Sequence, residues 1–146
     1  MAAIIVGPTN WQPVAAEEQQ IQTASLGDQM LSGGYLICRS GGGTAWIVAP
    51  ASSEVSRTWN SRNNANTVAS ACTLATGWFV PTCEQLKNPG YECRTYWDSY
   101  SSDQYWSSTQ YNCSLATLLD FSTGCTCPCI CINGVRCVRS FRCVTY

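Results

Sequence analysis

Gly77-Trp78-Phe79-Val80-Pro81-Thr82-Cys83-Glu84-Gln85-Leu86 is the stretch that decides how this 146-residue chain is read. Pro81-Thr82 sets the start of a helix. Thr82 and Gln85 have capping-box spacing, in which the hydroxyl accepts from one orphan N–H and the amide reaches back to another. Asn88-Pro89-Gly90 follows within one turn, so the helix is predicted to be short.

Working outward, Ala65, Val68, Ala69 and Cys72 recur at i, i+3, i+4 and i+7, which predicts a helix over 61–74. Residues 35–39 and 44–49 read as strands around Gly41-Gly42-Gly43, a hairpin. Downstream, 91–103 is a polar, aromatic loop, 105–109 and 115–121 read as strands, and Ser122-Thr123-Gly124 turns the chain. Asn133-Gly134 is a strong hairpin signal between two final strands. Two central helices with strands at both ends predict one α+β domain over 33–146. Residues 1–32 stand apart: they hold no cysteine, carry Pro8 and Pro13, and show only a weak stripe of Val14, Ile21 and Leu26. They read as an arm or a short packed helix.

The composition excludes several functions. Net charge is −1, only 12% of residues are charged, and no basic stripe is present, so no nucleic-acid partner is expected. Histidine is absent, which removes the commonest general base and neutral metal ligand and any Ser-His or Cys-His pair. No stretch approaches ~18 consecutive apolar residues, so no membrane span is expected. Residues 1–9 lack a basic n-region and a long apolar run, so no cleaved leader is expected there. Six Trp and seven Tyr exceed what a core alone needs and suit an amphipathic contact surface.

Eleven cysteines are unusually many for a chain of this size. Cys125, Cys127, Cys129 and Cys131 alternate, and on a strand alternate residues lie ~6.6 Å apart on one face. They do not converge on one tetrahedral ion unless the strand bends into a loop, so disulfides to neighbouring segments are expected over a metal. A two-residue turn at Asn133-Gly134 pairs Ile132 with Val135, Cys131 with Arg136 and Ile130 with Cys137. Cys131 and Cys137 then face opposite ways and do not bond without a bulge. Eleven is odd, so at least one thiol is free or pairs between chains. Cys83 falls at a helix N-terminus, where a thiolate is favoured, yet a structural role is the expectation. Connectivity stays open at this level.

Four motifs occur in order: Gly77-Trp78-Phe79-Val80-Pro81-Thr82 with Glu84 and Leu86, Tyr105-Trp106-Ser107-Ser108-Thr109, Asp120-Phe121-Ser122-Thr123-Gly124, and Val135-Arg136-Cys137-Val138-Arg139. Together they resemble the signature of a bacterial and phage surface-domain family that includes the C-terminal domain of a collagen-like adhesin. Trp46-Ile47-Val48-Ala49-Pro50 and Trp59 precede them in the order that family shows. The resemblance implies a disulfide-braced C-type-lectin-like fold, a binding module rather than an enzyme, and homo-oligomers, often trimers. It also implies a disulfide from Cys72 to Cys137. Phe79 stands where the family usually has Arg, and the cysteine run at 125–131 is an addition. The calcium-sugar motifs of animal C-type lectins are absent, so no calcium or other cofactor is implied.

These readings predict a non-enzymatic bacteriophage virion surface protein, a capsid decoration, fibre or tail component. Cysteine bracing without a leader fits release by lysis into an oxidising medium. Residues 1–32 would dock on other virion proteins. Tyr91, Tyr96, Trp97, Tyr100 and Tyr105 are the candidate contacts for a partner or host-surface glycan, with about half of them expected in the core. The alternative is a secreted or surface adhesin domain that binds glycans. Asp98 and Asp103 form a carboxylate pair of the kind glycosidases use, but a solvated loop is the expected reading. No residue is assigned a catalytic, cofactor or metal role. Strand parity puts Arg136 and Arg142 on one face and Arg139 on the other, so solvated or paired charges are expected, not an anion patch.

Overall fold

The structure, a computed structural model, describes residues 12–58, 77–112, 115–124, 126–129 and 135–146. The helix expected over 61–74, Cys72, Trp59, Cys125, Cys131 and the Asn133-Gly134 turn lie outside the described residues.

The chain is α+β. Helix α1 (Gln12–Thr23) leads into hairpin β1 (Tyr35–Ser40) and β2 (Thr44–Val48), then β3 (Val55–Thr58). Helix α2 (Cys83–Gln85) continues as a wider helical turn over Leu86–Tyr91, followed by a 3-10 turn at Arg94–Tyr96. Strands β4 (Gln104–Asn112), β5 (Leu115–Asp120), β6 (Thr126–Cys129), β7 (Val135–Val138) and β8 (Phe141–Thr145) complete it. Two sheets form, one in the order β1-β2-β8 and the other β3-β7-β4-β5-β6. Among the described residues pairing is antiparallel except for the bridge from Tyr105 of β4 to Cys137 of β7. Among the described residues no helix is long and apolar enough to cross a membrane.

The three-stranded sheet is buried on both faces, and the side-chain period of two shows why. Leu36, Ala45, Ile47 and Val144 face α1 and pack with Ile21 and Met30. Ile37, Val48 and Phe141 face the other way, into the main core with Leu86, Trp97, Tyr105, Leu119 and Phe121. Residues 12–23 are therefore a packed helix, not a free arm. Two charged contacts secure α1. Arg39 Nη2 donates to the carbonyls of Ile21 and Ala24 at its C-terminus, where a cation suits the unpaired carbonyls. Glu17, fully buried, pairs with Arg142 of β8 at 2.5 Å and accepts from Ser32 N at 2.7 Å.

The 77–86 stretch stitches the two sheets together. Phe79 exchanges both backbone hydrogen bonds with Phe141 of β8, and its ring stands edge-on to Trp46 at 6.2 Å. Two residues on, Ser108 N of β4 donates to Pro81 O at 2.8 Å, and Cys83 N donates to Thr109 Oγ1 at 3.0 Å. The capping box forms as expected: Gln85 N donates to Thr82 Oγ1, and Thr82 N to Gln85 Oε1. Helical geometry breaks at Asn88, before Pro89. The β4 and β5 ladder loses register between Trp106 and Gln110, and hydroxyls replace the missing bonds. Ser107 Oγ, buried, donates to Thr117 O at 2.9 Å, and Thr117 Oγ1 donates to Thr109 O at 2.7 Å.

One expectation lies outside the described residues and one is corrected. The hairpin pairing expected of residues 130–132 across Asn133-Gly134 falls outside the described residues; of the flanking chain, β6 lies on β5 at one edge, while β7 lies between β3 and β4. Cys137 stands opposite Ser56 and Tyr105. Arg136 and Arg142 do not share a sheet face as strand parity suggests, because the chain changes sheets between them at Arg139-Ser140. Arg136 lies over Trp106 with Cζ 5.0 Å from the ring centroid, Arg142 pairs with Glu17, and Arg139 is buried at the junction.

Candidate functional site

The most highly organised polar group is built around Arg139. Its side chain is fully buried, directly after β7. Burying a guanidinium is costly unless every donor is paired, and here the pairing is dense. Nε donates to Ala49 O at 2.7 Å, Nη1 to Glu54 Oε2 and Ser99 O, each at 3.0 Å, and Nη2 to Asp98 Oδ1 at 2.6 Å. Its Cζ also lies 5.1 Å from the Trp97 ring centroid, a cation–π contact. Asp98 is locked in turn, since Oδ2 accepts from Ala51 N at 2.7 Å. Asp98 is thus a structural ligand of Arg139 set in an exposed stretch of the loop, a pairing that the sequence alone does not reveal. The signal available in the sequence was Arg139 closing a strand, but its partners lie 41 and 85 residues away.

Tyr105 extends the network. Its hydroxyl donates to Glu54 Oε2 at 2.5 Å and accepts from Ser101 N at 2.8 Å. Burial, and then the bond to Glu54, push its pKa well above the ordinary 10.0. Ser101 Oγ accepts from Asp103 N, and Asp103 O accepts from Phe121 N. From Trp97 to Asp103 the irregular chain is therefore tied down repeatedly. Trp97 is the hub of its underside, with ring centroids at 5.2 Å to Phe121, 5.6 Å to Phe141, 5.9 Å to Tyr105 and 6.2 Å to Tyr100.

The five aromatic candidates divide cleanly. Trp97 and Tyr105 are 5% and 0% exposed, so the core takes them and no ligand reaches their faces. Tyr96 and Tyr100 are 38% and 40% exposed and form the outer surface with Asp98, Ser99, Ser102 and Asp103. Tyr91 is half-buried: its ring packs edge-on to Phe121 at 5.3 Å, under the Arg94 guanidinium at 3.8 Å. It also closes on Gly124, where φ is +78° and a Cβ would meet the ring at 2.7 Å, so only glycine fits that turn. Asp120 accepts from Ser122 N and Oγ, the turn contacts expected of it, and they hold its carboxyl below the ordinary 3.8.

Among the described cysteines, Cys38, Cys83, Cys93, Cys137 and Cys143 carry no disulfide. Cys72, the partner implied for Cys137, lies outside the described residues. Among the described residues no three Cys, Asp or Glu side chains are placed to hold a metal ion. Burial, then the Glu54 charge, push the Cys137 thiol up to about 11. Burial, then the neighbouring Cys38, push Cys93 up to about 12. These shifts set an alkaline limit on the thiol form. Unfolded thiols ionise near 9.0 while Cys137 and Cys93 stay protonated in the fold, so the unfolded state gains as pH rises. Stability is full below pH 9.0 and is lost progressively toward pH 11 and 12, with Tyr105 adding to the loss above 10.0. Urea midpoints measured under reductant from pH 7 upward should fall through that window and stay flat below it; a flat profile to pH 11 would refute the burial of these groups.

Compared with protein-family models and with curated protein sequences, the chain matches none.

Proposed function

We propose that this chain is a non-enzymatic display protein of a bacteriophage virion, with a C-type-lectin-like fold that offers residues 96–103 to a partner. The observation that carries the reading is the construction of that segment. An exposed, irregular stretch with Tyr96 and Tyr100 outward is held from below by a buried arginine, Trp97 and Tyr105. A contact surface built this way loses little conformational freedom on binding, which is the advantage of pre-organisation. Aromatic side chains with an apolar body and a polar tip suit the faces of sugar rings and protein surfaces alike. The lectin-like assignment is supported by the four ordered motifs and by β8 returning beside β1 and β2, which brings the two ends of the domain into one sheet. The virion setting rests on the sequence: eleven cysteines in a sparsely charged chain that resembles phage surface domains. The non-enzymatic reading rests on the absence of histidine and on Asp98 being committed to Arg139 and Ala51. Homo-oligomers, trimers among them, remain part of the proposal through the same resemblance.

A second reading, a secreted or cell-surface glycan-binding adhesin domain, is favoured by the two exposed tyrosines themselves. Two measurements separate these. Mass spectrometry of gradient-purified phage particles finds the chain if it is a virion component, and its absence there rejects that setting. A glycan array probed with the wild-type chain and with the Tyr96→Ala, Tyr100→Ala double variant tests the face. The variant should lose at least tenfold in affinity for any bound glycan, ~1.4 kcal/mol, with its urea midpoint nearly unchanged. Equal binding by both proteins would move the contact elsewhere. Glycan cleavage abolished by Asp98→Asn would make the chain an enzyme.

A further inference from the structure

Cys38 and Cys93 are brought together by an irregularity in β1. The register of β1 against β2 slips between Leu36 and Cys38. Strict alternation would put Cys38 on the side of Leu36, toward α1. Instead Leu36 packs with the α1 cluster, while both Ile37 and Cys38 face the main core. Cys93 packs against that same core where the helical turn after α2 meets the 3-10 turn, and β1 packs on both turns. Both thiols therefore pack against one core cluster, and Cys38 is close enough to Cys93 to raise its pKa. Neither has a strong partner of another kind to leave: the one hydrogen bond from Cys38 Sγ is a 3.7 Å contact with the adjacent Arg39 carbonyl.

We propose that Cys38 and Cys93 form a disulfide that pins β1 to the base of the exposed aromatic segment. The link would anchor the chain three residues before Tyr96, and it stands whether or not that segment binds a glycan or belongs to a virion. It differs from the Cys72 to Cys137 bridge implied by resemblance, and it leaves Cys137 available. Closure needs an oxidant, taken here as a small-molecule disulfide such as glutathione disulfide. One protein thiolate attacks an oxidant sulfur and expels one glutathione thiolate. The second protein thiolate attacks the protein sulfur of the mixed disulfide and expels the other. Two protein thiols are oxidised, one glutathione disulfide is reduced to two glutathiones, and the two thiol protons pass to the leaving thiolates. The elevated Cys93 pKa disfavours its thiolate, so closure accelerates with rising pH.

The test uses the full chain, folded and equilibrated with glutathione disulfide, then alkylated, digested with trypsin without reduction and mapped by mass spectrometry. Cys38 and Cys93 fall in separate tryptic peptides, 1–39 and 88–94, each with a single cysteine, and Cys137 falls in 137–139. The expected product joins 1–39 to 88–94 and disappears on reduction. The oxidised chain should also unfold at a higher urea concentration than its reduced form, and Cys93→Ser should lose that gain. Linkage of Cys93 to 137–139, free alkylation of both Cys38 and Cys93 in the oxidised chain, or a full oxidative gain retained by Cys93→Ser would each overturn the proposal. The mapping is read on the wild-type chain, so it stands even if the variant folds poorly.

Discussion

Replacing Arg139 with alanine is expected to cost about 3–5 kcal/mol, a large part of the ~5–15 kcal/mol typical of a folded domain. The loss comes from what stays behind. Glu54 and Asp98 have side chains only 21% and 20% exposed, and without the guanidinium they are two like charges facing an apolar core. Ala49 O and Ser99 O lose their donor as well, and Tyr105 is left hydrogen-bonded to an uncompensated carboxylate. Lysine is a poor substitute: a single ammonium does not reproduce a planar fork that meets four acceptors and stacks on Trp97. Arg139→Lys should therefore recover less than half of the loss in urea unfolding. A triple variant, Arg139→Met with Glu54→Gln and Asp98→Asn, should be more stable than Arg139→Ala, because it removes the stranded charges along with the arginine. If Arg139→Ala shifted the unfolding free energy by less than ~1 kcal/mol, the network would not hold the 96–103 segment.

The second large effect belongs to Glu17. Glu17→Ala is expected to cost about 3 kcal/mol, because Arg142 keeps its charge inside the sheet with no partner. Ser32 N also loses its acceptor, at the point where the chain leaves α1 for β1. The damage should be local as well as global. Hydrogen exchange in α1 and β8 should accelerate more than in β4 or β5, which belong to the other sheet. Glu17→Gln, which keeps an acceptor for Ser32 N but not the charge, should fall between the two. Uniform acceleration across both sheets would mean that α1 is not an independently docked layer. This outcome also bears on the docking role proposed for residues 1–32, because Glu17 and Ile21 are used inside the domain, while Gln19, Gln22 and Leu31 face outward among the described residues of that segment.

Much of the architecture is legible in short stretches because the forces that set it are short-ranged. The capping box at Thr82 and Gln85, the hairpin around Gly41-Gly42-Gly43, the halt at Asn88-Pro89 and the Asp120 turn each involve groups a few residues apart. Such contacts form wherever the rest of the chain goes. Sheet membership is not local in this way: β6 and β7 follow one another in the chain yet are separated in their sheet by β4 and β5.

The candidate surface shows the same division. That residues 91–103 form an irregular aromatic loop is visible in their composition, and the mixture of core and surface rings among Tyr91, Tyr96, Trp97, Tyr100 and Tyr105 follows from their number. Which ring faces which way is not visible, because it depends on Phe121, Phe141 and Arg139 arriving from elsewhere in the chain. By itself, then, the sequence determined the α+β class, the helix start at Thr82, the first hairpin and the segment where a contact face would lie. Only the tertiary structure decided that Tyr96 and Tyr100 are that face, that Asp98 serves Arg139, and that Glu17 serves Arg142 across 125 residues of chain. Buried charge makes the difference. A guanidinium taken out of water must find its carboxylate somewhere, and sequence separation places no limit on where.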